Sequence, residues 1–309
     1  MNLSLQIVLS GLAAGSVYGL LALGFTFVYR LTGIVHFALG DLVGLGVFVA
    51  LFVTAGRGTV TQESATSWRF AVGVLAALVV VAALGTWSYF GLIRQHIARG
   101  STLGWVAATV AIAFAIQSLL NVVFTRPAYV FPDPIPFHDA GRAGIVTVAG
   151  ATFQLRSVFV IGLGIVLAAA ATYVTRSTRF GRGLQAIAED VDGAQVVGVP
   201  FDRYVGLAFG LVGALAVVIA VAAAPSGPFS VTTGTLYGLK GLVAALVVGF
   251  ATPGLAFVAG LGLGLVEAVI ASGEISGHGL GPSYREILPL AFVFLLLALR
   301  GRARTPEPE

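Results

Sequence analysis

Cysteine is absent from this chain, so no disulfide and no thiolate metal ligand enters its chemistry. Charge is scarce as well. Asp, Glu, Lys and Arg together make up 10% of the residues while hydrophobic types make up 58%, which excludes an ordinary soluble domain. Lysine occurs once, at Lys240, and is followed by Gly241. A P-loop needs a lysine followed by serine or threonine after its glycines, so this chain binds no nucleotide in that way. There is no nucleophile elbow and no cluster of metal-ligand residues, which leaves no case for an enzyme active site or for a cofactor on this chain. The net charge of +4 is a topology signal in so apolar a chain and gives no reason to expect nucleic acid.

What is present is a series of long apolar runs, at 5–28, 34–54, 70–92, 103–124, 157–175, 204–224, 239–252, 254–272 and 285–299. Several are about 20 residues long and continuous, which suits helices crossing a bilayer and not the shorter, alternating strands of a barrel. The fold class expected is an all-α integral membrane protein, a polytopic bundle of eight or nine transmembrane helices with a broken or re-entrant element. The first run has no basic leader before it and reads as a span, not a cleaved signal. The runs at 239–252 and 254–272 are separated only by Thr252-Pro253-Gly254 and read either as a tight hairpin of two spans or as one broken element. Residues 1–304 form one transmembrane domain on this reading, and 305–309 a frayed tail. Glycine, at 41 residues, suits close helix packing in lipid. Gly11, Gly15 and Gly19 recur every four residues, making a groove on one face of the first helix.

Thr175 to Tyr204 interrupts the apolar pattern. It carries Arg176, Arg179, Arg182 and Arg203 with Glu189, Asp190, Asp192 and Asp202. Leu184, Ile187, Ala188, Val191 and Ala194 recur at helical spacing, and Gly198 and Pro200 close the stretch. The segment reads either as a solvated loop with one interfacial helix, or as a docking helix over 183–197 gripped by a cytoplasmic partner. If 176–203 is cytoplasmic, alternation puts 10 of the 17 basic residues inside and 7 outside, in the direction the positive-inside rule requires. Nine spans then leave the N-terminus outside and the C-terminus inside. The external stretch 125–157 contains Pro127, Pro132, Pro134 and Pro136, then Ile145–Val148 and Ala151–Leu155, which read as a small β-hairpin.

Two polar features stand at membrane depth. Between the first two runs, Thr32, Gly33, Gly40 and Gly44 surround His36, Phe37 and Asp41. The segment reads either as an interfacial loop with snorkelling side chains or as an unwound backbone beside a permeation path. No second metal ligand stands at helical spacing from His36. Glu267 lies in an otherwise apolar run, where an acid faces protein or water, and Lys240 is a candidate partner.

These residues resemble the H-type permease subunit of bacterial importers for branched-chain amino acids, which belong to the ATP-binding cassette (ABC) class. The opening resembles the family's G-x-x-x-G-x-x-Y-x-L-x-A-L-G in Gly11, Gly15, Tyr18, Leu20, Ala22, Leu23 and Gly24. At Gly33–Asp41 the family usually has Asn-Phe-Ala-His-Gly-Glu; here His36, Leu39 and Asp41 stand for its Asn, His and Glu. Gly181, Arg182, Leu184, Ile187, Ala188, Glu189, Asp190, Val191, Ala194 and Gly198 fall in the family's coupling segment, with Gln185 at a usual Arg. Lys240, Ala244, Ala245, Gly249, Gly260, Gly264 and Glu267 match its residue types later in the chain.

The resemblance implies an inner-membrane permease paired with a homologous second permease. Two cytoplasmic ATPases would carry ATP and magnesium, and an external binding protein would deliver substrate. It implies alternating access, with branched-chain amino acids as the default cargo and urea, amides or other small solutes as the other possibilities. The competing class is a proton-coupled secondary transporter that uses Glu267 or Asp41 as its carrier.

Overall fold

The computed structural model describes residues 2–56, 68–98, 101–131, 145–148, 151–272 and 291. Apart from residue 291, the apolar run at 285–299 lies outside these, as does the tail at 305–309. Among the described residues the elements run in this order. Helix α1 is Asn2–Thr32, α2 is Leu39–Ala55 and α3 is Trp68–Ser88. A π-helical turn, Tyr89–Ile93, joins α3 to α4, Arg94–Ala98, and α5 is Thr102–Val123. Strands β1 (Ile145–Val148) and β2 (Ala151–Gln154) pair antiparallel, Ile145 opposite Gln154. Then come α6 (Leu155–Ser177), α7 (Arg179–Glu189), α8 (Val191–Val196), α9 (Phe201–Ala223), α10 (Thr233–Val247) and α11 (Pro253–Ser272).

Among the described residues six helices are long and apolar enough to cross a membrane: Leu5–Thr32, Trp68–Ile97, Leu103–Val123, Leu155–Ser177, Phe201–Ser226 and Pro253–Ser272. Helices α2 and α10 are apolar but shorter, at 17 and 15 residues. At about 1.5 Å per residue each falls short of a hydrocarbon core of about 30 Å. Both are preceded by non-helical backbone. The run read as 34–54 becomes helical only at Leu39, and the run read as 239–252 is helical over Thr233–Val247. Serine and threonine after the Gly227 break start that helix earlier than hydropathy indicates. Between α10 and α11 the chain turns tightly, with Gly249 and Phe250 both at positive φ.

Helix α1 lies at the centre, against α6, α9, α10 and α11. Its glycines make the closest approach. A Cβ at Gly15 would lie 2.8 Å from Leu261 Cα, one at Gly11 2.9 Å from Ala268 Cβ, and one at Gly19 2.6 Å from the Phe257 carbonyl oxygen. Gly260 and Gly264 oppose them from α11. With lipid no less apolar than leucine, packing contact of this kind holds membrane helices together.

The order long helix, break, short helix, long helix occurs twice, as α1–α2–α3 and as α9–α10–α11. The two breaks align at a spacing of 194 residues, Gly40 with Gly234 and Asp41 with Thr235. Gly40 packs on Gly238, where its Cβ would lie 2.8 Å from Cα, and reciprocally a Cβ at Gly234 would lie 3.0 Å from Gly44 Cα. Such exchange of partners is the mark of a two-fold axis. Helix α1 ends beside α7, just where α9 begins, so the repeats run in opposite directions. The first helix of each repeat packs through glycine on the third helix of the other: Gly213 of α9 lies against the Val81 carbonyl of α3, as Gly19 of α1 lies against Phe257 of α11.

Candidate functional site

The first break begins where α1 runs out of helix. Thr32 Oγ1 donates to the Val28 carbonyl at 2.9 Å and accepts from the Ile34 amide at 3.2 Å, and Gly33 takes φ +68°. A side chain at that φ is strained, so glycine here makes the unwinding possible. His36 then turns inward. It is 1% exposed, its ring centre lies 5.2 Å from that of Phe209 in α9, and neither ring nitrogen has a partner among the described residues. Phe37 is half-exposed and stacks on Trp105 of α5.

Asp41, in the first turn of α2, is buried. Its Oδ1 accepts from Thr235 Oγ1 at 2.6 Å and from Gln117 Nε2 at 2.9 Å, and Gln117 also reaches Thr235 Oγ1 at 3.1 Å. One carboxylate thus ties together both short helices and α5. Gln117 and Thr235 carry no motif. The cue for both was positional, as polar residues in apolar helices. On the turn after Gln117, Ser118 and Asn121 are exposed.

Lys240 and Glu267 form a buried pair, with Lys240 Nζ 3.1 Å from each carboxylate oxygen. The ammonium also donates to Tyr18 Oη at 3.3 Å, so the pair staples α10 and α11 to α1. It borders a cavity of about 450 Å³ together with Tyr237 and Arg156. Arg156 Nη2 donates to the Val221 and Ala222 carbonyls at 3.0 and 2.8 Å, satisfying oxygens at the end of α9 that the helix itself leaves open. Among the described residues no group of three or more His, Asp or Glu side chains is placed to hold a metal ion.

The 176–203 segment folds as two helices, where a single one over 183–197 was expected. Thr178 Oγ1 caps α7 by accepting from the Gly181 amide at 2.9 Å. Asp190 breaks the helix and caps α8, its Oδ1 accepting from the Asp192 amide at 3.1 Å. An Asx cap competes with helix continuation, which is why the break falls there. Gly181 is pressed against the Val174 and Thr175 carbonyls and Gly183 against the Tyr204 ring.

The expected apolar contact face needs correction. Leu184 and Ile187 are 3% and 2% exposed and pack on the chain itself, so neither is open to another protein. Ala188 faces a cavity beside Arg30 and Pro253 and is only partly open. Ala194 is buried, while Arg182, Glu189, Asp190 and Val191 are exposed. The most open apolar residues are at the tip, Val196 at 87% and Val197 at 76%, followed by Gly198 at φ +86°.

A family model described as branched-chain amino acid transport system / permease component matches residues 7–297. The chain belongs to this family. It is a multi-pass inner-membrane protein and the permease subunit of an ABC importer. The high-affinity branched-chain amino acid transport system permease protein LivH of Salmonella typhimurium is 25% identical to it, over 99% of this chain and 96% of LivH. A nucleoside ABC transporter permease protein, NupC of Lactococcus lactis subsp. cremoris, is 27% identical over 90% of this chain and 87% of its own. Among solved structures, PsaBC from Streptococcus pneumoniae in complex with Fab matches with a TM-score of 0.49 and 15% identity, over 93% of this chain and 89% of that one.

Proposed function

We propose that this permease imports branched-chain amino acids by alternating access, driven by two cytoplasmic ATPases that grip α7 and α8. A homologous second permease completes the path and an external binding protein delivers the cargo; ATP and magnesium belong to the ATPases. The observation that carries this reading is the Val191–Gly198 tip. Two adjacent valines stand open to water on a segment built of capped helices and charged residues, where an isolated apolar patch marks a contact. Because Leu184 and Ile187 are buried, the segment is fixed to its own helices through α7 and presents α8 outward. A push on α8 therefore reaches the base of α9 as rigid-body motion.

Several features support the orientation and the path. The tip side also holds Arg30, Arg176, Arg179, Arg182 and Arg203, so it is the cytoplasmic side. The strands β1 and β2 and the second break then face outward. On this reading residues 1–304 form one permease domain with a tail after it. The path borders the Thr32–Gly44 break and the Asp41–Gln117–Thr235 cluster, continuing along Ser118 and Asn121, whose polar side chains would be costly against acyl chains. The branched-chain class is favoured by the family description and by LivH, matched over nearly its whole length. At Glu267 the proton-coupled reading loses support, because Lys240 holds that carboxylate.

The test is reconstitution of the permease with its ATPases, second permease and binding protein in vesicles. Leucine uptake that needs ATP, and that excess nucleoside leaves unchanged, is expected. In parallel, Val197→Asp should cut co-purification of the ATPases. Full association of that variant, or uptake driven by a proton gradient without ATP, would refute the proposal.

A further inference from the structure

We infer that the end of α6 beside α7 binds a phospholipid with an anionic headgroup, its phosphate held by Arg30 and Arg176 and one acyl chain laid along α6. Two adjoining hollows carry this. The first is a cavity of about 160 Å³ among the end of α1, the end of α6, α7 and the start of α11, lined by Arg30, Arg176, Thr175, Gln185 and Gly254. The second is an open groove of about 530 Å³ along α6, where Ile165, Ala168, Ala169, Thr172, Tyr173 and Arg176 share one helical face. Thr172 and Arg176 border both, so the cavity and the groove meet there.

The cavity suits a small anion. No acidic side chain lines it, and among the described residues neither arginine has an acidic partner. Each arginine sits in the last turn of its helix, where the helix dipole favours a cation. That placement accounts for either one alone, but it does not offset the repulsion of two guanidinium groups around one small space. A phosphate between them does, since guanidinium groups take phosphate oxygens in pairs. The volume lies below the roughly 300 Å³ at which sites for drug-sized ligands begin, so the cavity admits a compact group only.

The groove suits a chain. Ala168 forms a buried floor, Phe257 of α11 closes one side, and Ile165 and Tyr173 stand exposed at the edge. From Ile165 to Arg176 the helix rises about 16 Å at about 1.5 Å per residue. That is close to half of a hydrocarbon core of about 30 Å, the reach of an acyl chain in one leaflet. An apolar groove alone would fit a protein segment equally well; the two arginines at its end select a lipid. Basic pockets between membrane helices on the cytoplasmic side take anionic headgroups. On the orientation proposed above this is the inner leaflet, and the headgroup bridges α1, α6 and α7 at Ala188.

The experiment is native mass spectrometry of the purified permease in micelles, with phosphatidylglycerol or phosphatidylcholine of the same acyl chains added. Wild type should retain one phosphatidylglycerol about tenfold more strongly than phosphatidylcholine, and Arg30→Gln with Arg176→Gln should lose about that factor, since each basic group near a membrane surface contributes about fivefold. Ala169→Trp, at an exposed position, should weaken both lipids by filling the groove while the melting temperature stays near wild type. Glycerol phosphate, a headgroup without chains, should not compete. Equal retention of the two lipids, or no loss in the double variant, overturns the inference. Full competition by glycerol phosphate does so too, because the site would then be one for free phosphate. Expulsion of the lipid by the second permease also overturns it and makes the groove a subunit contact. The leaflet is read separately, with Ser177→Cys in this cysteine-free chain. Labelling by an impermeant maleimide in inverted vesicles alone places the site in the inner leaflet; labelling in right-side-out vesicles alone refutes the proposed orientation and the inner-leaflet placement with it.

Discussion

Lys240 and Glu267 meet at 3.1 Å through both carboxylate oxygens, from helices joined by one tight turn, at a depth where neither is more than 3% exposed. A charge at such a position is held by its partners, and removing one strands the other. Lys240→Met alone should lower stability by about 3–5 kcal/mol, as breaking a buried pair does. The double variant Lys240→Met with Glu267→Leu should recover much of that loss. Denaturant unfolding of the purified chain in micelles measures both. Equal losses in the single and double variants would mean the pair contributes no coupling.

The contact between α1 and α11 leaves no room for a Cβ. Gly15→Val should destabilise the bundle by about 1–3 kcal/mol or more through overpacking. Gly262→Ala, on the same partner helix but with nothing within 4 Å of the new carbon, should be neutral or better. The yield of monodisperse protein and its melting temperature separate the two.

Gly33 has open space around it but φ +68°. Gly33→Ala should therefore cost about 1–2 kcal/mol through backbone strain alone. Gly33→Asn should cost less, because asparagine tolerates the left-handed region. Comparing the melting temperatures of the two variants tests this, and equal shifts would point to a steric cause.

The two sides of the 176–203 segment should respond differently. Leu184→Ala opens a cavity under α7 and should cost about 2–5 kcal/mol of stability. Val197→Asp alters only an open side chain and should leave stability within about 0.5 kcal/mol while it weakens ATPase association. Thermal unfolding paired with co-purification checks both, and a large stability loss at Val197 would contradict its exposed placement.

Some of this was legible from residues alone, because it depends on one-dimensional pattern. An apolar run of about 20 residues has few alternatives to a spanning helix, since backbone groups in lipid must bond within their own segment. The charged interruption at 176–203 and the glycine-rich interruption at 33–44 stand out for the same reason. Extents were harder to read. Val35 and Phe37 are as hydrophobic as a helix requires, yet 33–38 is not helical, because Gly33 adopts a conformation that hydropathy does not encode.

Partnerships across the bundle belong to tertiary structure. Nothing near Gln117 or Thr235 in the chain announces Asp41, since the Asp41–Thr235 contact spans 194 residues and arises where two inverted repeats cross. The same holds for the 176–203 segment. Periodicity places Leu184, Ile187, Ala188 and Val191 on one face of a helix, but an apolar face is equally suited to its own chain and to another's. Which it meets depends on whether neighbouring helices leave space beneath it. Here they cover Leu184 and Ile187 and leave Val196 and Val197 open. From its residues alone, this chain is a membrane bundle with a polar interruption. The surface left open on that interruption was decided by how closely the helices pack.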